Sequence, residues 1–474
     1  MNLKKKLIPV LIAPLFVGLT FSGQALANDS DELEKLRQLV QELDQKVKIL
    51  DRKGELAEEA ATAKKKETPV VKASQDGFGL ESADGKNKIK FKALAQIDYR
   101  SYVGENNSTN QDGFNFRRIR PSIEGTVGGI YDFRFTPEFG EAKTSSSTST
   151  SGIVDAYIDA RFKPYFQVRA GKFKPYVGLE RLQSGADIKF IERSFVSNNF
   201  LPNRDLGVAV HGDLFQDKLT YAIGLHNGVT DGGDAPTSKD VNGNKEWAGR
   251  IFTTPFKDSD NVLSGLGFGI AGTHTKFTGV GATTYDSAKA ILPDYKNPSQ
   301  STNFFTYGNN TFASGDHNRV SPQAYFYHGP FGVIAEYAWV KQGLQNNSSK
   351  TNAKNDAWQI ATSYLITGED ASFKGVKPKR IFDVDQGTWG AFELVARYQE
   401  ANIDDNVFGT YADLSKSAKS ASAWAVGLNW YLNQNIKLAT NYERTSFDGG
   451  AGTSGAVVDR ADEETLYTRL QISY

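Results

Sequence analysis

The run FNFRRIRPSIEGTVGG, from Phe114 to Gly129, sets Arg118, Arg120, Ser122, Glu124 and Thr126 on one parity and Ile119, Ile123 and Val127 on the other. Residues of one parity share a face of a strand, so guanidinium groups line one side and aliphatic groups the opposite one. A guanidinium stays charged, and its planar donor fork binds two oxygens of a phosphate or carboxylate at once. Such a row suits anion binding wherever its face meets water. Other chemistries are poorly served. There is no cysteine, which excludes disulfides and thiolate zinc sites, and His211, His226, His274, His317 and His328 show no metal-ligand spacing. No cofactor motif appears, nothing points to a nucleic-acid partner, and His226 and His274 have no local serine partner of the kind a hydrolase needs.

The elements that position these groups are read from the N-terminus. Lys4 to Lys6, the apolar run Leu7 to Phe21 and Ala25-Leu26-Ala27 form an export signal over residues 1–27, cleaved to start the mature chain at Asn28. Leu33, Leu36, Val40, Leu43, Val47 and Leu50 then follow an a/d heptad seam, which predicts a short periplasmic α-helical coiled coil. Gly54 falls at the next a position, and ELAEEAATAKKKETP reads as a fraying helix or tether, so residues 28–70 form a coiled-coil and tether segment. A seam this short follows whatever oligomer the rest of the chain imposes.

From about Lys86 the period is two. In IKFKALAQIDYR, Ile89, Phe91, Ala93, Ala95, Ile97 and Tyr99 oppose Lys90, Lys92, Gln96, Asp98 and Arg100, and the pattern returns to the end of the chain. Charged inner parities with aromatic outer ones indicate a transmembrane β-barrel, over residues 71–474. Tight junctions at Gly128, Lys163, Phe215, His328 and Leu432 alternate with long polar segments, among them Gly104 to Asp112, Glu141 to Ser151, Lys174 to Asn203, Val229 to Asn244, Phe277 to Asp316, Gly343 to Ala353, Ile403 to Lys419 and Asp448 to Asp462. That alternation gives about 16 antiparallel strands and an aqueous lumen. The predicted fold is therefore an all-β, 16-stranded antiparallel barrel in the outer membrane, with Trp339, Trp358, Trp389, Trp424, Trp430 and Tyr474 at the lipid interfaces.

Lysine and arginine balance aspartate and glutamate at 55 each over the chain, yet Arg117 to Arg204 holds fourteen basic against nine acidic residues. The segment after the fifth strand is the candidate constriction folded into the lumen, where Lys189 and Arg193 would present a positive ring. The expected anion-binding and pore-lining set is Arg118, Arg120, Arg134, Arg161, Arg169, Lys189, Arg193 and Arg250, with no metal site. Lys374, Lys377, Lys379 and Arg380 lie in an unusually long turn, Thr367 to Gln386, read as a basic exit region or a solvated turn.

In order along the chain, FNFRRIRPSIEGTVGGIYDFRFTPEF, VDAYIDARFKPYFQVRAGKFKPYVGLE, IERSF, NRDLGVAVHG, ITGEDASFKGVKP, GTWGAFELVARYQ and GLNWYLNQNIKLATNYER resemble the phosphate-selective porin O/P family, over roughly Gly77 to Tyr474. The resemblance implies a homotrimer, an inward-folded third loop, and passive uptake of orthophosphate, pyrophosphate or polyphosphate through a basic pore. It also puts a periplasmic coiled coil on the trimer axis, in reach of peptidoglycan. Phosphate-specialised members carry several inward arginines on one strand, whereas KEWAGRIFTTPF has only Lys245 and Arg250. The alternatives are a general-diffusion porin and an outer-membrane tether.

Overall fold

The computed structural model describes residues 29–74, 77–103, 111–140, 152–235, 243–277, 292–453 and 456–474. The export signal expected at 1–27, all of the segment expected from Glu141 to Ser151, most of that from Gly104, and parts of those from Val229, Phe277 and Asp448 lie outside the described residues. Contacts divide the chain into Met1–Thr68 and Pro69–Tyr474.

The first unit contains one helix, α1 (Asp29–Glu67). It runs through Gly54 rather than fraying there, because the alanines, glutamates and lysines that follow are strong helix formers and outweigh the ~1 kcal/mol that one glycine costs.

The second unit is a barrel. Its strands are β1 (Lys88–Val103), β2 (Gly113–Val127), β3 (Tyr131–Pro137), β4 (Ile153–Lys163), β5 (Phe166–Phe173), β6 (Asp205–Leu214), β7 (Leu219–His226) and β8 (Glu246–Thr253). There follow β9 (Leu266–Phe277), β10 (Thr311–His328), β11 (Phe331–Asn346), β12 (Ser349–Leu365), β13 (Ala391–Asn402), β14 (Ala418–Tyr431), β15 (Ile436–Thr453) and β16 (Glu463–Ser473). Each pairs antiparallel with its successor, and β16 closes on β1 from Glu464 opposite Val103 to Ser473 opposite Leu94, a ring of sixteen. Closure leaves the ring itself no free edge, the condition for a sheet in lipid, and a short hairpin of Val70–Ser74 and Gly77–Glu81 pairs with the first residues of β1. On β16, Leu466, Leu470, Ile472 and Tyr474 all face outward.

One irregularity sets the sidedness of the arginine-rich strand. Gln96 of β1 pairs with Arg118 but Ile97 pairs with Phe116, so Arg117 is an extra residue bulged from β2. Phe114 and Phe116 share the numerical parity of Arg118, yet they are 79% and 55% exposed on the outer surface while Arg118 is 3% exposed inside.

The expected turns at Gly128, Lys163, Phe215, His328 and Leu432 close hairpins at one end of the barrel. Two expected loops are instead continued strand. β11 and β12 meet across only Asn347 and Ser348, with Asn347 at φ 51°, and β15 extends into a hairpin with Ala456–Asp459. Their polar residues face water, but Leu344 and Ala353 pack inward on a lumenal core, which keeps the alternation going.

That core sits inside the barrel. The chain between β5 and β6 turns inward through the single-turn helix α2 (Leu179–Leu182) and buries Val177, Phe195, Val196, Phe200 and Leu201 against Tyr295, Phe304, Phe305 and Tyr307 from the connection between β9 and β10. Phe200 stacks on Tyr295 with ring centres 4.7 Å apart. Such large apolar groups gain roughly 1.5–3 kcal/mol each on burial, which holds the segment in the lumen rather than in solvent.

Candidate anion site in the lumen

Polar groups of the wall fix the inward segment along its length. The Glu336 carboxylate accepts from the backbone N–H of Leu179 (2.5 Å) and of Glu180 (3.0 Å). Asn441 accepts from the Ile191 N–H at 2.7 Å and Gln399 from that of Phe195 at 2.7 Å. Glu192, at the tip, is held by Arg117 at 2.5 Å and Arg100 at 2.8 Å. Burial alone would raise its carboxyl, but these two guanidiniums hold it well below the usual range.

Beneath this segment, toward the short-turn end, lies a cavity of about 750 Å³. Nine basic side chains line it (Lys92, Arg120, Arg134, Arg169, Lys174, Arg204, Lys374, Lys377 and Lys437) against two acidic ones, Asp155 and Asp187. The arginines are compensated: Arg120 pairs with Glu138 at 2.5 Å, Arg134 with Glu124 at 2.5 Å, Arg169 with Asp159 at 2.5 Å and Arg204 with Asp155 at 3.1 Å. Lys92 shares Glu124 at 2.5 Å. The other four lysines are different. Among the described residues none of Lys174, Lys374, Lys377 and Lys437 has a carboxylate oxygen within 4.0 Å. Lys174 donates to the Gln183 carbonyl at 2.7 Å and Lys437 to that of Ile188 at 3.0 Å, which orient an ammonium without neutralising it.

Burial, reinforced by Arg193 and Arg204, holds the Lys174 ammonium well below the usual lysine range, so an anion beside it would favour the charged form. Burial raises the Asp187 carboxyl in spite of Lys437 and Lys189. Arg169 lies 4.4 Å from the Tyr157 ring centre, which gives the basic wall a rigid, aromatic-backed face.

Lys374 and Lys377 reach the cavity because the long connection between β12 and β13 folds under the barrel. Gln183 donates to the Phe373 carbonyl at 2.8 Å, Phe373 stacks on Tyr325 at 5.4 Å, and Val376 is buried against Leu365, Ala391 and Tyr431. Gly375 adopts φ +90° where an added Cβ would stand 2.9 Å from the Asp187 carboxylate, so the turn and the inward segment meet there.

A profile of the family described as phosphate-selective porin O and P matches residues 89–474. The chain belongs to that family. Porin O of Pseudomonas aeruginosa is 24% identical over 429 residues, covering 85% of this chain and 92% of its own. Among solved structures, the outer membrane channel DcaP of Acinetobacter baumannii aligns with a TM-score of 0.49 at 12% identity, over 84% of this chain and 99% of that one. OmpT of Vibrio cholerae aligns with a TM-score of 0.47 at 9% identity, over 82% and 99%. The protein is thus an outer-membrane porin, a transport channel and not an enzyme.

Of the eight residues expected to bind anions and line the pore, the porin brings Arg120, Arg134 and Arg169 to the cavity, beside Lys374 and Lys377 of the long turn. It places the other five elsewhere. Arg118 is buried between the wall and Gly185, donating to Gln96 at 2.6 Å. The ring expected from Lys189 and Arg193 is absent from the cavity lining, because Lys189 pairs with Glu393 at 2.6 Å across the barrel and Arg193 donates to the carbonyls of Glu180 and Gln183. Arg161 pairs with Asp132 at 2.6 Å near the turn end, and Arg250 donates to Gln323 at 2.9 Å. Asp231, in the DGGD run, accepts from Arg319 at 2.7 Å and Tyr295 at 2.8 Å as part of the lumenal packing.

Proposed function

We propose that this porin conducts small anions in preference to cations, with phosphate among those it holds transiently, at the four lysines beneath the inward segment. The observation that carries this reading is the division of the basic residues: each cavity arginine has a carboxylate, whereas Lys174, Lys374, Lys377 and Lys437 have none within 4.0 Å among the described residues. A compact ammonium attracts an anion as a point charge and releases it more readily than a bidentate guanidinium does, as conduction requires. The reading carries with it export through residues 1–27 and assembly as a homotrimer, as family membership leads one to expect.

The test is single-channel recording in dilute chloride while phosphate is added, with the reversal potential read under a salt gradient. The expected result is an anion-selective reversal potential and phosphate block that weakens in Lys437→Gln. Ohmic conduction with no ion preference and no effect of phosphate would overturn it in favour of a general-diffusion porin.

A further inference from the structure

We propose that the outer surface of β9 to β12 carries a binding site for a phosphate-bearing lipid of the outer leaflet, built from Lys341, Lys354 and Lys276. Register sets Lys341 of β11 directly opposite Lys354 of β12. Like charges so placed destabilise a strand pair, an effect that an anion seated between them reverses. The chain neighbours of these lysines fix which way they point. Val340, Ala353 and Phe277 pack inward, so Lys341, Lys354 and Lys276, each one residue away, face outward. One step nearer the short-turn end, roughly 7 Å along the strands, Trp339 lies opposite Asp356, and one step further Tyr337 lies opposite Trp358. Outward tryptophan and tyrosine mark the level of the lipid head groups, and short turns mark the periplasmic side. The lysines therefore stand among the head groups of the outer leaflet.

Of the neighbouring carboxylates among the described residues, Asp316 alone reaches one of these ammoniums. It lies opposite Lys276, takes Lys341 at 3.5 Å and is itself 45% exposed, whereas neither Lys276 nor Lys354 is ion-paired among the described residues. Asp404 accepts from the Lys354 backbone N–H at 2.9 Å and not from its ammonium, and Asp356 accepts from the Asn402 amide at 3.3 Å. Asn318, opposite Lys341 on the other side, turns its amide oxygen to the His274 ring at 2.6 Å, which leaves its amide hydrogens for a further acceptor. A phosphate monoester brings three acceptor oxygens, enough to meet two ammoniums and this amide together. The surface below selects a lipid over a free phosphate. Tyr337, Val320, Ile360 and Ile270 are all exposed there and give acyl chains an apolar bed continuous with the phosphate site.

The test titrates the full-length porin in detergent with a bis-phosphorylated acyl glycolipid and with the same lipid stripped of its phosphates, and reads bound lipid by native mass spectrometry. The phosphorylated lipid should bind at least about tenfold more tightly, because each ammonium contributes on the order of fivefold even through water. Lys341→Gln combined with Lys354→Gln should remove most of that preference, and Lys257→Gln, at the opposite rim, should keep it. Equal binding of the two lipids by the wild type, or a preference unaltered in the double variant, would overturn the proposal. Because a misfolded variant would also lose the lipid, Lys354→Glu is measured alongside. It sets opposite charges across the two strands, so it should raise the urea midpoint in lipid-free detergent while losing the preference. A lowered midpoint would show that the lysine pair serves the barrel and not a lipid, and a smaller oligomer with an unchanged lipid preference would give this surface to a neighbouring copy instead.

Discussion

Replacing Glu192 by Gln keeps the size of the side chain and deletes the charge that clamps the tip of the inward segment. The carboxylate is 1% exposed, Arg100 6% and Arg117 17%, so solvent screens the pair with Arg100 only slightly and that with Arg117 somewhat more. Breaking a buried pair from one side destabilises by about 3–5 kcal/mol. The lower end applies, because Arg100 keeps Asp98 at 3.3 Å and the Ser299 carbonyl at 2.5 Å. About 3 kcal/mol corresponds to roughly a hundredfold rise in the equilibrium for local opening. The readout is hydrogen exchange at the amides of Ile191, Ser194 and Phe195, all held by side-chain acceptors in the docked segment.

The pH dependence supplies a second check. Because the folded carboxyl of Glu192 is depressed, its contribution is complete above the unfolded value of about 4.3 and is lost only as pH falls through the lower folded value. Wild type and Glu192→Gln should therefore differ fully at pH 7 and converge only in strong acid. Exchange at these amides within tenfold of wild type at pH 7 would refute the assignment of Glu192 as the clamp.

Neutralising Lys374 and Lys377 to Gln should each lower the affinity of phosphate block by up to about fivefold, since one charge at 4 Å in water is worth about 1 kcal/mol; unchanged block would remove them from the path. Lowering the pH below 7 should favour the protonated form of Asp187, whose carboxyl is raised by burial, and so increase anion preference in the reversal potential; Asp187→Asn should make that increase smaller than in wild type. Phe215, Gln216 and Asp217 all have φ between 55° and 63°. Gln216→Gly should therefore stabilise the barrel by about 1 kcal/mol, read as a higher urea midpoint.

The barrel is legible because a water-filled lumen lets inward residues stay charged, so the period-two pattern is unusually clean in strands such as β1 and β16. Where the reading of the sequence failed, the missing partner is remote. Lys189 looks available until Glu393, 204 residues away, is brought to it, and Arg193 until the carbonyls of its own segment close around it. The arginines are prominent in the sequence, but strand register pairs them with carboxylates of neighbouring strands, and local spacing does not reveal register. Lys437 carried no signal except inward parity beside the turn at Leu432. Lys374 and Lys377 did carry one, the excessive length of their turn. Asn347 and Ser348 misled because a two-residue hairpin turn is itself polar, and the strands on either side of it face water.

The bulge at Arg117 makes the number of residues in β2, and not only their kind, decide what lipid and solute encounter. Drawing Arg117 into the ladder, as regular pairing of every residue would require, would commit the strand to a choice. Either Phe114 and Phe116 swing into the conduit, or Arg118, Arg120 and Glu124 are pressed against acyl chains. Removing Arg117 would instead leave Phe116 outward beside Arg118 inward, so the one extra residue is what lets two stretches of equal numerical parity face the two solvents of the wall.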